Sequence, residues 1–298
     1  MLLINLLYLL FASTFILAKN VLTYGSPLLI ISIRMLLAGS MLLAYSYLTH
    51  GKQLIQDLKK AYLLLALVGL FHIYGAYVLE FWSLEYISAA QTALIFNLSP
   101  FITALLERVF YNHRLSLIQI IALIIGFAAM LPTINTGTSN QWFLYNSTAH
   151  IALVGAVLCS CIGWLLIKKI VKDHHVHLTT INGFSMIIGG LLSCVTGNII
   201  SLFNPTWKIF SSTNWPALIG YILVLVMVSN IICYNLYGHL LKKYSATLLA
   251  MAGFTCPMFT ALLQWIFQGS IPTATFWASA FISGCAIYIF YWNEVKKN

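Results

Sequence analysis

His72 and Glu80 are two ionisable side chains within one long apolar stretch of the sequence, and both could bind a polar solute or pass a proton. Ala76 stands four residues from each, so in an α-helix the three side chains share one face, which Gly69 continues. If the stretch crosses a lipid bilayer, a charge at its centre costs about 2.5 to 3.5 kcal/mol, and such groups therefore face a cavity or the protein interior. The spacing predicts that this face lines a cavity. For His72, a hydrogen bond between packed helices is the alternative to solute contact or a proton relay.

Arg34 lies inside another apolar stretch, at a depth comparable with that of Glu80. An ion pair between the two would neutralise two costly charges, which predicts a structural pair near the outer ends of their helices, with substrate binding as the alternative. Lys19 is a competing partner for Glu80, unless its ammonium group extends to the outer face of the membrane instead.

Small polar residues recur at helical spacing in two further stretches, each of which contains a proline. The first stretch carries Ser88, Thr92, Ser99, Thr103 and Glu107. The equivalent positions of the second are Ser245, Leu249, Cys256, Thr260 and Gln264. Pro100 and Pro257 remove an amide donor near the middle of each helix, so we expect them to bend the helices and to act as hinges, with a static kink as the alternative. For Glu107 we expect a local ion pair with Arg108 or Arg114.

Aromatic side chains accompany polar ones in two other stretches, where Tyr234 and Tyr237 follow Asn230, and Trp164 follows Ser160. Ring faces supply contact area and cation–π attraction, which suits a ligand with a flat or apolar part and a polar head. The candidate cavity residues are therefore His72, Ala76, Glu80, Thr92, Ser99, Thr103, Ser160, Trp164, Asn230, Tyr234, Tyr237, Cys256 and Thr260.

The composition indicates which elements hold these residues. Hydrophobic residues make up 61% of the 298-residue chain and charged residues 7%, whereas a soluble domain has about 45 to 50% and about 25%. In a bilayer each backbone amide must bond within its own helix, and a spanning helix needs about 20 apolar residues. The sequence predicts an all-α membrane protein with ten transmembrane helices, at 2–19, 28–49, 61–82, 87–108, 115–134, 149–169, 178–203, 216–239, 246–267 and 273–292.

The formal net charge of +9 has a pattern across the predicted membrane. With the N-terminus in the cytoplasm, twelve of the fifteen basic residues lie on the inner side: Lys52, Lys59, Lys60, Arg108, Arg114, Lys168, Lys169, Lys172, Lys242, Lys243, Lys296 and Lys297. Lys19 and Lys208 lie on the outer side. This bias is what the positive-inside rule predicts for a protein of the cytoplasmic membrane with both termini in the cytoplasm, so the charge indicates topology and not nucleic-acid binding.

The chain contains an internal repeat. A shift of 157 positions aligns residues 88–110 with 245–267, and nine of these 23 positions are identical, among them Pro100 and Pro257. We therefore predict two five-helix repeats, 1–134 and 149–298, joined by an external loop at 135–148. Because five is an odd number, the repeats have opposite orientations in the membrane, and exchange of their conformations would give alternating access. A duplication that only built a stable bundle is the alternative.

The segment FILAKNVLTYGSPLLIISIRMLLAG, residues 15–39, has a lysine at the end of the first predicted helix, a proline at the start of the second and an arginine inside it. Together with the two proline-containing repeat segments, it resembles the drug/metabolite transporter (DMT) superfamily, in particular the EamA-type carriers. The resemblance implies ten helices, cytoplasmic termini and a central cavity bounded by the first, third, fourth, sixth, eighth and ninth helices. The family's Gly-Glu pairs after the repeat helices are replaced by Asn112-His113 and Gly269-Ser270.

These features favour a secondary transporter of a small organic metabolite, working by alternating access and without ATP, since the sequence lacks a phosphate-binding G-x-x-x-x-G-K-[ST] motif. Glu80 and the aromatic residues favour an amino-acid-like, zwitterionic or cationic solute. An S-adenosylmethionine-like nucleoside metabolite, or a drug or other cation, is an alternative substrate. A channel or a non-transporting membrane scaffold is the alternative class.

We expect no enzyme activity, because the six acidic residues are scattered along the chain, and we expect neither a cofactor nor a metal site. All six cysteines fall in predicted spans, where a thiol packs as a small apolar group. The histidines at 174, 175 and 177 have no cysteine beside them and are expected to form a solvated basic loop. The predicted partners are the solute and the lipid bilayer, with proton or ion coupling and the oligomeric state left open.

Overall fold

The computed structural model describes residues 2–87, 89–112, 114–134, 147–203, 212–268 and 274–296. Within these ranges the chain is helical, and it contains no strand beyond a single antiparallel bridge between Gly25 and Ser212. Two π-helical segments, Gly69–Gly75 and Val226–Cys233, join α3 to α4 and α10 to α11, and a 3-10 turn, Gly253–Thr255, joins α12 to α13. The α-helices are α1 Leu2–Val21, α2 Pro27–His50, α3 Gln53–Val68, α4 Ala76–Tyr86, α5 Ala89–Phe96, α6 Ser99–Tyr111, α7 Leu117–Ile134, α8 Ser147–Asp173, α9 Leu178–Phe203, α10 Trp215–Leu225, α11 Tyr234–Leu240, α12 Ala246–Ala252, α13 Cys256–Gln268 and α14 Ala274–Val295.

Local chemistry at the ends of α2 shows why this apolar stretch begins and ends where it does. The Ser26 hydroxyl accepts a hydrogen bond from the Leu29 amide at 3.4 Å, and Pro27 follows in the first turn, where its missing N–H is not needed. At the other end Gly51 has φ 52°, which glycine adopts without steric cost, and its amide donates to the Tyr47 carbonyl at 2.8 Å.

The outside of the molecule is apolar. Large apolar side chains are exposed along most of the helices, whereas Arg34, His72 and Asn230 are buried, which is the reverse of the distribution in a soluble protein. Six described helical stretches are long and apolar enough to cross a membrane: Leu2–Val21, Pro27–His50, Gln53–Tyr86, Thr148–Asp173, Leu178–Phe203 and Trp215–Leu240. Shorter apolar helices occur at Leu117–Ala129 and Ala246–Thr260. The prediction of an all-α membrane protein is confirmed, and the count of ten spans stays a prediction.

Four of the predicted spans are not uniform helices: 61–82, 87–108, 216–239 and 246–267. The span predicted at 61–82 lies within one helical stretch from Gln53 to Tyr86, which bends at Ala61 (φ −136°, ψ 21°). The span predicted at 87–108 consists of α5 and α6, separated by Asn97 and Leu98. The length of an apolar stretch shows that it can cross the bilayer, but it does not show where the helix is interrupted.

Helices α2 and α9 pack closely because each has a glycine, with no side chain, at the point of contact. A Cβ atom on Gly39 would lie 2.8 Å from the carbonyl oxygen of Gly183, closer than atoms approach without moving. The hydroxyls of Ser46 and Thr180 add a hydrogen bond of 2.7 Å between the same helices. Small residues and interhelical hydrogen bonds are what hold helices together in lipid, where the hydrophobic effect contributes little.

Helix boundaries recur at the same shift of 157 residues that relates the repeated sequence segments. Helices α5, α6 and α7 start at residues 89, 99 and 117, and α12, α13 and α14 start at 246, 256 and 274. The π-helical segments start at residues 69 and 226, which are also 157 apart. The repeat boundaries remain a prediction, and residues 135–146 of the predicted external loop lie outside the described residues.

Candidate functional site

A central cavity of about 970 Å³, including its open mouth, lies between the helices. Side chains of α1, α2, α4, α5, α6, α8, α11, α12 and α13 and of both π-helical segments contribute to its wall. The cavity therefore draws on both halves of the chain.

Four rings, His72, Trp164, Tyr234 and Tyr237, form what we call the aromatic cluster. The rings of Trp164 and Tyr237 are stacked, with centroids 3.9 Å apart and planes inclined by 22°. The imidazole of His72 meets Trp164 in a T-shaped contact at 4.4 Å, and Tyr234 lies 5.2 Å from both. Such an arrangement presents ring edges and faces to a bound molecule, and it suits a flat heterocycle or a cation.

His72 occupies its position because the π-helical segment meets a glycine on α8. A Cβ atom on Gly163 would lie 2.1 Å from the Cβ atom of His72, so only glycine fits there. The side chain is 1% exposed, and neither ring nitrogen has a hydrogen-bond partner among the described residues. The backbone of Ser160 on α8 lies beside the imidazole, at a geometry short of a hydrogen bond, so solute contact and a bond between packed helices both stay predictions. An unpartnered buried polar group costs energy that a bound solute or water would recover.

Arg34 projects from α2 into the cavity wall and is 1% exposed. Its Nε donates to the Asn230 Oδ1 at 2.6 Å, and its Nη2 donates to the Ser229 hydroxyl at 2.7 Å and to the Tyr77 hydroxyl at 3.3 Å. The guanidinium also lies 4.8 Å from the ring centroid of Tyr77. All of these partners are neutral, and the acidic group that acts on the guanidinium, Glu80, does so without direct contact.

Glu80 lies on α4, and its side chain lines the same cavity. Its carboxylate makes no hydrogen bond in the part of the chain that the structure describes. A carboxylate in this position is a free acceptor for a positively charged or hydrogen-bond-donating group of a solute.

The predicted structural ion pair among Arg34, Glu80 and Lys19 has no direct contact, although Arg34 and Glu80 attract each other at longer range. Arg34 is bound to Asn230 on the other half of the chain. The Lys19 ammonium group instead donates to the carbonyl oxygens of Leu84 and of Ile87, the latter at 3.1 Å. These carbonyls lie at the C-terminal end of α4, where the helix dipole attracts a cation, so Lys19 joins α1 to α4.

Glu107 joins three helices beside the cavity. Its Oε1 forms a 2.5 Å salt bridge with Lys168 of α8 and accepts from the Ala246 amide at 3.1 Å. Its Oε2 accepts from the amide and hydroxyl of Thr247, at 3.1 and 2.7 Å. The expected partner was Arg108 or Arg114 on the same chain segment. The carboxylate instead accepts hydrogen bonds from the amides at the start of α12, which have no partner within their own helix. An ion pair with Arg108 or Arg114 would have left these amides without an acceptor.

Residues 1–134 and 147–292 match the EamA-like transporter family. The chain belongs to that family. It is accordingly a multi-pass membrane transporter, and the resemblance seen in the sequence is confirmed.

Three relatives add to this assignment. The EamA-like transporter is similar to the "S-adenosylmethionine/S-adenosylhomocysteine transporter" of Chlamydia muridarum (strain MoPn / Nigg), with 28% identity over 292 residues, covering 96% of this chain and 89% of the relative. The protein of the same name from Chlamydia trachomatis serovar L2 (strain ATCC VR-902B / DSM 19102 / 434/Bu) is 27% identical, covering 96% and 87%. The "Uncharacterized transporter YyaM" of Bacillus subtilis (strain 168) is 27% identical, covering 68% and 64%. These names indicate transport of a small metabolite and not an enzyme.

A solved crystal structure has the same fold as the EamA-like transporter. Its TM-score is 0.76 with 14% sequence identity, and the match covers 99% of this chain and 98% of the other. At this identity the likeness concerns the fold alone.

The cavity wall of the EamA-like transporter includes ten of the thirteen residues that the sequence singled out. They are His72, Ala76, Glu80, Ser99, Thr103, Ser160, Trp164, Tyr234, Tyr237 and Cys256. Gly69, which was expected to continue the face of His72, instead packs on α9, where a Cβ atom on it would lie 2.8 Å from the Ile188 side chain. The π-helical segment that begins at Gly69 changes the register of the helix at this point. Substrate contact by the ten residues stays a prediction.

Three predicted residues, Thr92, Asn230 and Thr260, are buried but lie outside the cavity wall. Asn230 accepts from Arg34 and so supports the wall from behind. Thr260 donates to the Cys256 carbonyl of its own helix at 2.9 Å. The two polar stripes are therefore interrupted, because each proline helix is broken in the middle, and Ser88 at the start of the first stripe lies outside the described residues.

Pro100 and Pro257 lie at helix starts and not within kinked helices. Pro100 is in the first turn of α6, and Pro257 is the second residue of α13. A proline is compatible with a first turn because no amide donor is needed there. Each proline helix is thus divided into two shorter helices, and their function as hinges stays a prediction.

Side chains of α1 and Arg34 are cavity residues that the sequence reasoning missed. Tyr8, Phe11, Phe15 and Ala18 all line the cavity. Their spacing of three, four and three is that of one helix face, a signal that was present in the sequence. For Arg34 a structural function was favoured over substrate binding, because the second helix was not expected to line the cavity.

Proposed function

We propose that this transporter carries a zwitterionic or cationic solute of the S-adenosylmethionine class. Glu80 is the observation that carries the proposal, because its carboxylate lies free in a cavity that also contains the aromatic cluster. A carboxylate attracts an ammonium or sulfonium group, and stacked rings bind a flat heterocycle. The relatives from the two Chlamydia species, named S-adenosylmethionine/S-adenosylhomocysteine transporters, support the same class.

The aromatic lining of the cavity favours an adenosyl solute over a free amino acid. Most amino acids have no flat ring system and would leave the stacked rings of Trp164 and Tyr237 without a stacking partner. Small-molecule sites bury most of the ligand surface, so a solute with both an amino-acid part and a ring system fits better.

The mechanism that we propose is alternating access between two inverted five-helix repeats, 1–134 and 149–298, in the cytoplasmic membrane with both termini in the cytoplasm. The recurrence of helix starts and π-helical segments at a shift of 157 residues supports the repeat. The breaks before Pro100 and Pro257 occur at equivalent positions and provide the hinges. Twelve basic residues on the predicted inner side support the orientation.

Uptake of labelled S-adenosylmethionine into proteoliposomes tests the proposal. A carrier gives saturable uptake that unlabelled S-adenosylmethionine or S-adenosylhomocysteine inhibits, and liposomes preloaded with unlabelled solute show counterflow. A channel would give flux without saturation or counterflow, and a scaffold would give no flux.

A Glu80→Gln variant tests the residue that carries the proposal. The loss of a charge-assisted hydrogen bond of about 1.5 to 3 kcal/mol should reduce the affinity about tenfold to 150-fold. The matched control is Glu85→Gln. Because Glu85 is exposed near the end of the same helix, this substitution should leave uptake unchanged. A folded Glu80→Gln protein that transports cationic solutes at the wild-type rate and affinity would contradict the assignment.

A further inference from the structure

Arg34 is a buried cation that makes no direct contact with an acidic group of the described residues. The side chain is 1% exposed, and its three hydrogen-bond partners, Asn230, Ser229 and Tyr77, are uncharged. A charge taken out of water is costly unless an opposite charge compensates it, and intramembrane charges therefore mark places where something charged binds. At Arg34 this compensation comes from Glu80 without direct contact, and the position of Arg34 in the cavity wall gives a solute access.

The hydrogen bonds of the guanidinium leave one nitrogen available. Nε donates to Asn230, and the two N–H groups of Nη2 are used by Ser229 and Tyr77. Nη1, which also carries two N–H groups, has no partner in the part of the chain that the structure describes. The planar guanidinium fork matches the two oxygens of a carboxylate, and its hydration is weaker than that of an ammonium group.

Glu80 supplies the opposite charge in the same cavity. The two side chains come from different helices, α2 and α4, and they do not form a salt bridge with one another. The two charges attract each other without direct contact, so each side chain keeps polar atoms that can bind a solute. A solute with both charges can bind the two side chains together, whereas a simple cation competes with Arg34 for Glu80.

We propose that Arg34 binds the carboxylate of the transported solute and that it thereby selects carboxylate-bearing zwitterions over simple cations. The proposal rests on the transport function given above and adds a second specificity residue to Glu80. Asn230 and Ser229 are positioning residues, because they hold Nε and Nη2 and so orient Nη1. Both belong to the π-helical segment Val226–Cys233, and such local widening of a helix often occurs at functional sites.

A ligand series on the wild-type protein tests the proposal without any change to the fold. The ligands are S-adenosylmethionine, its carboxyl methyl ester and an analogue in which hydrogen replaces the carboxyl group, each measured by competition against labelled S-adenosylmethionine. Both carboxylate-free ligands should bind about tenfold to hundredfold more weakly, as expected for the loss of a charge-assisted pair. Equal affinities for all three ligands would overturn the proposal.

Variants then assign the preference to Arg34. Arg34→Gln should bind the acid and the two carboxylate-free ligands with similar affinity, and Arg34→Lys should retain part of the preference because it keeps the charge without the fork. A merely structural arginine predicts that Arg34→Gln weakens all three ligands by the same factor. The control is Lys172→Gln, which removes an exposed charge from the last turn of α8.

Asn230→Asp covers the case in which Arg34→Gln does not fold. This nearly isosteric change places a carboxylate 2.6 Å from Nε and gives Arg34 an internal counter-ion. The preference for carboxylate-bearing ligands should then fall at least severalfold. An unaltered preference in this variant would count against the proposal.

The outcomes also separate this proposal from the transport function. Saturable uptake of S-adenosylmethionine without any preference for the carboxylate leaves the function standing and overturns the assignment of Arg34. Failure of all adenosyl solutes, together with Arg34-dependent uptake of another carboxylate-bearing zwitterion from an amino-acid panel, overturns the solute class and supports Arg34. Failure of every carboxylate-bearing solute overturns both.

Discussion

Replacing Glu107 with glutamine should disconnect three helices that the carboxylate now joins. Glu107 is 1% exposed, and it pairs with Lys168 of α8 at 2.5 Å and accepts from the first two residues of α12. Glutamine has nearly the same shape, so the change removes the charge and one acceptor without leaving a cavity.

The expected loss of stability follows from what remains after the change. Removing one member of a buried ion pair costs about 3 to 5 kcal/mol, because the other charge stays buried without a partner. The side chain of Lys168 is only 10% exposed, but its long aliphatic chain can extend toward solvent, and the glutamine oxygen still accepts from one amide of α12. We therefore expect the free energy of unfolding to fall by about 2 to 4 kcal/mol.

Equilibrium unfolding in mixed micelles, followed by helical circular dichroism, measures this loss. A double-mutant cycle with Lys168→Met isolates the pair, and the double variant should be more stable than the sum of the single changes by at least about 1 kcal/mol, since no buried charge remains. The control Glu85→Gln alters an exposed carboxylate and should change the stability by less than about 0.5 kcal/mol. If Glu107→Gln is as stable as this control, Glu107 does not hold the three helices together.

Two further changes probe the aromatic cluster. Gly163→Ala places a methyl group 2.1 Å from the Cβ atom of His72 and should lower the free energy of unfolding by about 1 to 3 kcal/mol, measured by thermal denaturation. The control is Gly220→Ala, whose methyl group meets no atom within 4 Å and should leave the stability unchanged. Equal effects of the two changes would refute the close approach. Trp164→Ala removes the ring stacked at 3.9 Å on Tyr237 and should weaken binding of S-adenosylmethionine by about fivefold to 150-fold in titration calorimetry. The exposed Trp292, which lies outside the cavity, provides the control Trp292→Ala, and the cluster has no part in binding if both variants keep wild-type affinity.

His72 and Glu80 illustrate what the sequence alone determined. A chain with 61% hydrophobic residues must place its helices in lipid, and the few ionisable groups inside them must then face the interior, because exposure of a charge to acyl chains is too costly. That single constraint, with helical spacing, selected the face that includes His72, Ala76 and Glu80, and all three lie in the cavity wall. It also predicted the membrane class, and alignment of the sequence with itself revealed the proline segments that recur in both halves.

Only the tertiary structure decided which residues meet. Arg34 bonds to Asn230, 196 positions away, and not to Glu80; Glu107 bonds to Lys168, 61 positions away, and not to its neighbours. Periodicity assigns side chains to a face of one helix, but the rotation of that helix against the others depends on close packing at glycines and on changes of register at π-helical segments. These depend on atoms from several distant helices at once, so partners and helix breaks cannot be read from the spacing within one stretch.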